Sequence, residues 1–110
     1  MSEKLHIVLC SVPDEETARQ MAQQLVGEAL AACISILPGI SSVYRWKGKI
    51  ETEREALLLI KSGETVYTEL EERIRAMHPY ELPEIIAVPI CNGHSEYLNW
   101  IANSLGPVET

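Results

Sequence analysis

A segment rich in Ile, Val, Ser and aromatic residues, Ala32–Trp46, is separated from a second, Lys49–Lys61 with its apolar run Leu57-Leu58-Leu59-Ile60, only by Lys47-Gly48. A two-residue link between β-branched runs marks a tight hairpin, and glycine in its second position supplies the positive φ such turns need. Pro38-Gly39 interrupts the first segment, which reads as one strand with a bulge or bend rather than as two elements. The length of this hairpin constrains the fold more than any other feature. At ~3.3 Å per residue the returning strand Lys49–Lys61 reaches ~43 Å, whereas a helix of about sixteen residues covers only ~24 Å. The tip must project beyond helices packed on the same sheet, and it carries Val43, Tyr44, Trp46 and Ile50. That much apolar surface is costly in water and calls for a partner.

The remaining elements follow from periodicity and caps. Leu5–Cys10 is a short apolar strand closed by Ser11-Val12-Pro13-Asp14. Asp14 is a good N-cap, Glu15 and Glu16 suit the positive end of a helix dipole, and Ala18, Met21, Ala22, Leu25, Val26, Ala29 and Leu30 recur at helical spacing. A second helix is capped within 62–65 and carries Val66, Leu70, Ile74 and Met77. It ends near His78, because Pro79 disfavours helical geometry in the residue before it. Glu84–Ile90 reads as a strand whose Pro89 belongs at an edge or an end. Ser95 caps a last helix through Tyr97, Leu98, Ile101 and Leu105, stopped by Gly106-Pro107. The order predicts an α+β, ferredoxin-like split βαβ sandwich in one domain, residues 1–110, with a long projecting hairpin and an extra C-terminal helix.

Three of the strands are continuous apolar runs, Ile7-Val8-Leu9, Leu57-Leu58-Leu59-Ile60 and Ile85-Ile86-Ala87-Val88, and such runs imply burial on both faces. Two helices cover one face of a four-stranded sheet. A homo-oligomer with its sheets packed inward covers the other, and closure favours a cyclic one.

Charge and composition narrow the function. Sixteen acidic residues against nine basic ones give a net charge of −7, which disfavours a nucleic-acid partner and weakly favours cations. No apolar run approaches the ~20 residues that span a bilayer, and the first ten residues hold no secretory core. The cytoplasm is therefore the expected compartment. Three cysteines, Cys10, Cys33 and Cys91, form no C-x-x-C pair and no zinc spacing, so they read as reduced thiols acting as small buried hydrophobes. Catalysis finds little support, since the chain has no glycine-rich phosphate loop, no G-x-S-x-G elbow and no H-E-x-x-H.

Leu30–Gly39, Ser42–Lys49, Glu55–Lys61, His78-Pro79-Tyr80-Glu81-Leu82-Pro83-Glu84 and Tyr97-Leu98-Asn99-Trp100, taken together, resemble the CutA divalent-cation tolerance family from Leu5 to Leu105. The resemblance implies a ferredoxin-like subunit in a compact homotrimer, in a cytoplasmic protein linked to metal tolerance, metal response and copper binding, and not in an enzyme. Copper binding attributed to the family involves a cysteine at the end of the first strand and a histidine pair before the Pro-Tyr of the second-helix exit. The corresponding positions here are Cys10, Met77 and His78, so one imidazole is replaced by a thioether. Thiolate and thioether suit Cu(I) better than Cu(II).

Each of these residues has a plainer reading. Met77 continues the stripe of Val66, Leu70 and Ile74, which helix spacing favours, and His78 fits either a ligand or a cap at the negative end of the helix dipole. Glu51, Glu53 and Glu55 alternate along one strand face, where three carboxylates attract a hard cation or, more ordinarily, pair with Arg45, Lys47, Lys49 or Arg54. Glu55, Lys61, Tyr80, Glu84 and Trp100 belong to the family pattern and line a cleft at a subunit boundary in this reading. The competing reading is a ligand-sensing or scaffold trimer like the nitrogen-regulatory PII proteins, acting through an unidentified protein partner. Fold analogy alone is weak evidence for such a site.

Overall fold

The computed structural model describes residues 3–107. The elements are β1 (Leu5–Val12), α1 (Glu15–Gly27), β2 (Cys33–Trp46), β3 (Lys49–Gly63), α2 (Tyr67–Met77), β4 (Ile86–Pro89) and α3 (Ser95–Asn103), with one 3₁₀ turn at Glu64–Val66 before α2. The sheet runs β2-β3-β1-β4, every neighbouring pair antiparallel, which is the split βαβ order.

Side-chain alternation divides the sheet into two faces. Val8, Cys10 and Val12 of β1 and Ala56, Leu58 and Ile60 of β3 point to the helices, where they pack with Met21 and Leu25 of α1 and Leu70 and Ile74 of α2. The opposite face carries Ile7 and Leu9 beside their pairing partners Val88 and Ile86, and Leu57 beside Leu37. Among the described residues it is covered near Leu5, where Ile101 of α3 packs on Leu5 and Ala32, and at its other end, where Ser11 and Glu55 are buried. Ile86 is 52% exposed and Val88 46%. The apolar strand runs thus have one covered face and one largely uncovered face in the single subunit.

The hairpin closes as its sequence predicts. Lys47 and Gly48 both have positive φ, at 51° and 80°, the pattern of a type I′ turn. A bulge between Leu37 and Ile40 puts an extra residue in β2, with Gly39 at φ 68°. That extra residue changes the parity of the strand. Beyond it the even-numbered Ser42, Tyr44 and Trp46 share the uncovered face with Leu37, opposite Glu53, Glu51 and Lys49.

Several boundaries differ from the sequence reading. β1 runs on to Val12, because Ser11 and Val12 still pair with Leu57 and Ala56. β3 extends to Gly63, and Ser62, expected in a cap, is buried in the strand and donates to the Leu30 carbonyl at 2.7 Å. β4 is only four residues long, pairing with His6–Leu9 alone. The cap of α3 is His94, whose Nδ1 accepts from the Tyr97 amide at 3.2 Å, and Ser95 is the first helical residue.

The early end of α1 has a physical cause and a consequence. The Leu30 amide bonds to the Leu25 carbonyl and the Ala29 amide to that of Val26, a Schellman motif with Ala29 in the left-handed region at φ 58°. A Cβ there costs ~1–2 kcal/mol. Ala29→Gly is therefore expected to raise stability by about 1 kcal/mol, read as a higher denaturation midpoint at fixed protein concentration.

Candidate functional site

The junction of β1, the hairpin base and the exit of α2 is built around His78. Pro79 forces His78 to an extended ψ of 134°, which ends α2. The ring then turns inward and is 8% exposed. Its Nδ1 accepts from the Tyr80 amide at 3.1 Å, so the proton sits on Nε2, which donates to the Ser11 carbonyl at 2.8 Å. Tyr80, held by that bond and against the imidazole at a ring separation of 4.7 Å, donates its phenol to Glu55 Oε2 at 2.6 Å. Burial first, and then the Glu55 carboxylate, push the Tyr80 phenol well above its ordinary range.

Glu55 belongs to a concavity of ≈ 790 Å³ along the outer half of the hairpin, which Glu51, Glu53 and Glu84 also line together with Tyr44, Arg45 and Trp46. Tyr44 donates to Glu53 at 2.9 Å. Among the described residues no lysine or arginine reaches ion-pair distance of these carboxylates. The ion pairs that do form join Arg19 to Glu15 and Glu16, and Arg73 to Glu28. The expected pairing of the glutamate stripe with Arg45, Lys47, Lys49 or Arg54 therefore does not occur within one subunit.

The cleft residues expected from the sequence fall into two groups. Glu55, Tyr80 and Glu84 meet in the concavity. Lys61 lies six residues further along β3, its Nζ donating to Ser35 Oγ at 2.6 Å, and Trp100 sits on α3, stacked on Tyr97. Sequence reasoning missed Tyr44 as a partner of the glutamate stripe, because its face depends on the bulge.

Of Cys10, Met77 and His78, the first and last meet at the Ser11 carbonyl, 3.9 Å from Cys10 Sγ and 2.8 Å from His78 Nε2, but the three do not form an open ligand set. Both nitrogens of His78 are engaged. Met77 packs against the core. Cys10 is fully buried, and burial, with the charges of Glu84 and Glu55 behind it, pushes its thiol up to about 12. As they stand, these three do not fit a copper ion. Nor do three or more His, Cys, Asp or Glu side chains of the described residues gather at metal-holding spacing. Of the other thiols, Cys33 is half-buried beside the Tyr97 hydroxyl at 3.5 Å and Cys91 is exposed, so burial holds for Cys10 alone.

The thiol shift has a pH consequence. The folded state keeps the Cys10 proton from the ordinary thiol value of 9.0 up to about 12, while the unfolded chain loses it from 9.0 upward. Across that window the unfolded state binds fewer protons, so stability falls as pH rises, by at most roughly 4 kcal/mol. Cys10→Ala should flatten the alkaline limb of a stability–pH curve, measured by denaturant unfolding between pH 8 and 11.

The profile of a family described as CutA1 divalent ion tolerance protein matches residues 6–104. The chain belongs to this family. Among its relatives, the divalent-cation tolerance protein CutA of Thermus thermophilus is 48% identical over 100 residues, covering 91% of this chain and 97% of that protein. The solved structure of the Thermus thermophilus protein superposes with a TM-score of 0.91 at 47% identity, covering 93% of this chain and 99% of that one. The crystal structure of CutA1 from Oryza sativa gives 0.92 at 42% identity, with 96% of each chain covered. The CutA1 fold thus holds across essentially the whole described chain.

Proposed function

We propose that this chain works as a homotrimeric divalent-cation tolerance protein of the cytoplasm, with copper among the ions it meets and without catalytic chemistry. The observation that carries the reading is the uncovered sheet face of a CutA1-family subunit. Ile86, Val88 and Leu37 are exposed on it, and the projecting hairpin adds Tyr44 and Trp46. A soluble monomer seldom leaves so much contiguous apolar surface in water. The net charge of −7 and the acid concavity favour cations over anions. No helix among the described residues is long and apolar enough to cross a membrane.

Copper at Cys10, Met77 and His78 rests on the resemblance, and the closed arrangement of these residues works against it. A thiolate must form where burial opposes it, and His78 must release Ser11 or Tyr80. Native mass spectrometry of untagged protein, with and without added copper or zinc, tests the proposal. A trimer that retains metal is expected, with Cys10→Ser changing Cu(I) affinity less than about two-fold in competition with a chromophoric chelator. A folded monomer overturns the assembly, a trimer that takes up no ion overturns the cation role, and a large loss in Cys10→Ser restores the copper trio.

A further inference from the structure

Ser11 is the polar group of the concavity that the fold does not explain. It stands on the sheet face turned away from the helices and is 8% exposed. Its carbonyl accepts from Cys10 and His78, but its hydroxyl makes no hydrogen bond among the described residues. A buried hydroxyl is costly without a partner. The one side-chain nitrogen or oxygen of the described residues that is both sealed off and unpaired is His6 Nδ1, so the Ser11 hydroxyl opens onto the concavity it lines. Glu55 lies diagonally across from it on β3, because Ser11 pairs with Leu57, and its Oε2 accepts from Tyr80.

Five carboxylates line the concavity, those of Glu51, Glu53, Glu55, Glu81 and Glu84, against the single guanidinium of Arg45. The excess is negative, so the matching ligand is a cation. Its charges must be spread out, because no three His, Cys, Asp or Glu side chains of the described residues gather closely enough to hold one metal ion. Glu51, Glu53 and Glu55 instead recur at every second residue of β3, at intervals of ~6.8 Å along one face. The two ammonium groups of an extended short-chain diamine stand at nearly that interval. Tyr44, opposite Glu51 in register and hydrogen-bonded to Glu53, lines the same wall with Trp46, and their rings suit both methylenes and ammonium heads. We infer that the concavity is a binding site for a linear aliphatic polyamine, with one ammonium group donating to the Ser11 hydroxyl and Glu55 and the next lying against Glu53 or Glu51. The inference stands beside the metal reading and does not depend on it.

The test is isothermal titration calorimetry of the untagged parent with spermidine, putrescine, butylamine and Mg²⁺ at about 0.1 M salt. Saturable binding of spermidine is expected, with putrescine next and both at least about ten-fold tighter than butylamine or Mg²⁺. Butylamine lacks the second head, and Mg²⁺ carries the charge of putrescine without its length. Ser11→Ala removes the hydroxyl and keeps the carbonyl that His78 holds, and it should weaken spermidine about five-fold or more, as should Glu53→Gln. Circular dichroism and sedimentation check that the variants keep the fold and assembly of the parent, and Glu51→Gln replaces Glu53→Gln if loss of that carboxylate disturbs Tyr44. No saturable heat with spermidine overturns the inference, and so does Mg²⁺ bound as tightly as the diamine, which would make the concavity a plain counterion trap. Spermidine affinity unchanged in both variants puts the amine elsewhere and overturns it also. Copper or zinc retained by a parent that takes no spermidine leaves the metal reading standing and strikes this one alone.

Discussion

Replacing Ile86 and Val88 by glutamate is expected to give a folded monomer at micromolar concentration. Both side chains point away from the helices, so their removal leaves the helix-side core of Val8, Leu58, Leu70 and Ile74 untouched. The backbone pairing of β4 with β1, from Leu9↔Ile86 to His6↔Pro89, asks nothing of the side chains. Far-ultraviolet circular dichroism should therefore change little. In the assembly the loss is large. Each buried aliphatic side chain contributes roughly 1.5–3 kcal/mol, and two carboxylates buried without partners oppose association further. The concentration for half-dissociation should rise by roughly a thousand-fold or more. Trp46→Glu, at the 39% exposed hairpin residue, should act in the same direction with a smaller effect.

His78→Ala is expected to destabilise the subunit by roughly 3 kcal/mol, through a cavity and two orphaned backbone groups. The Ser11 carbonyl and the Tyr80 amide both lose their partner. The damage should reach the acid concavity, because Tyr80 is no longer held over Glu55. His78→Gln should recover part of the loss by reaching one of the two groups. Denaturant unfolding at fixed protein concentration measures both variants, and an alanine variant as stable as the parent would show that His78 is not the joint between α2 and β1.

Most of the architecture was legible because the signals are local. Asp14 caps α1 through the Thr17 amide at 2.7 Å, Lys47-Gly48 turns the hairpin, and Pro79 stops α2, each for a reason confined to a few residues. The boundaries that moved were decided by tertiary contacts. Ser62 looks like a cap residue, but the Leu30 carbonyl needs a donor and holds it in β3. The second-half pattern of β2 depends on one bulged residue, and so does the meeting of Tyr44 with Glu53. The site was half legible. Glu55, Tyr80 and Glu84 come together as read, whereas Lys61 and Trp100 lie at the far end of the sheet. The engagement of both His78 nitrogens follows from the path of the chain after Pro79, which no local spacing encodes.

The central claim is that the sheet face bearing Ile86, Val88 and Leu37 lies inside a trimer. Sedimentation velocity of the untagged parent over a dilution series from tens of micromolar to tens of nanomolar tests it directly. The account predicts one species at three times the chain mass that persists through dilution, and that the Ile86→Glu/Val88→Glu variant converts to a folded single chain. A parent that sediments as a folded single chain throughout, or a variant that stays trimeric, would contradict it.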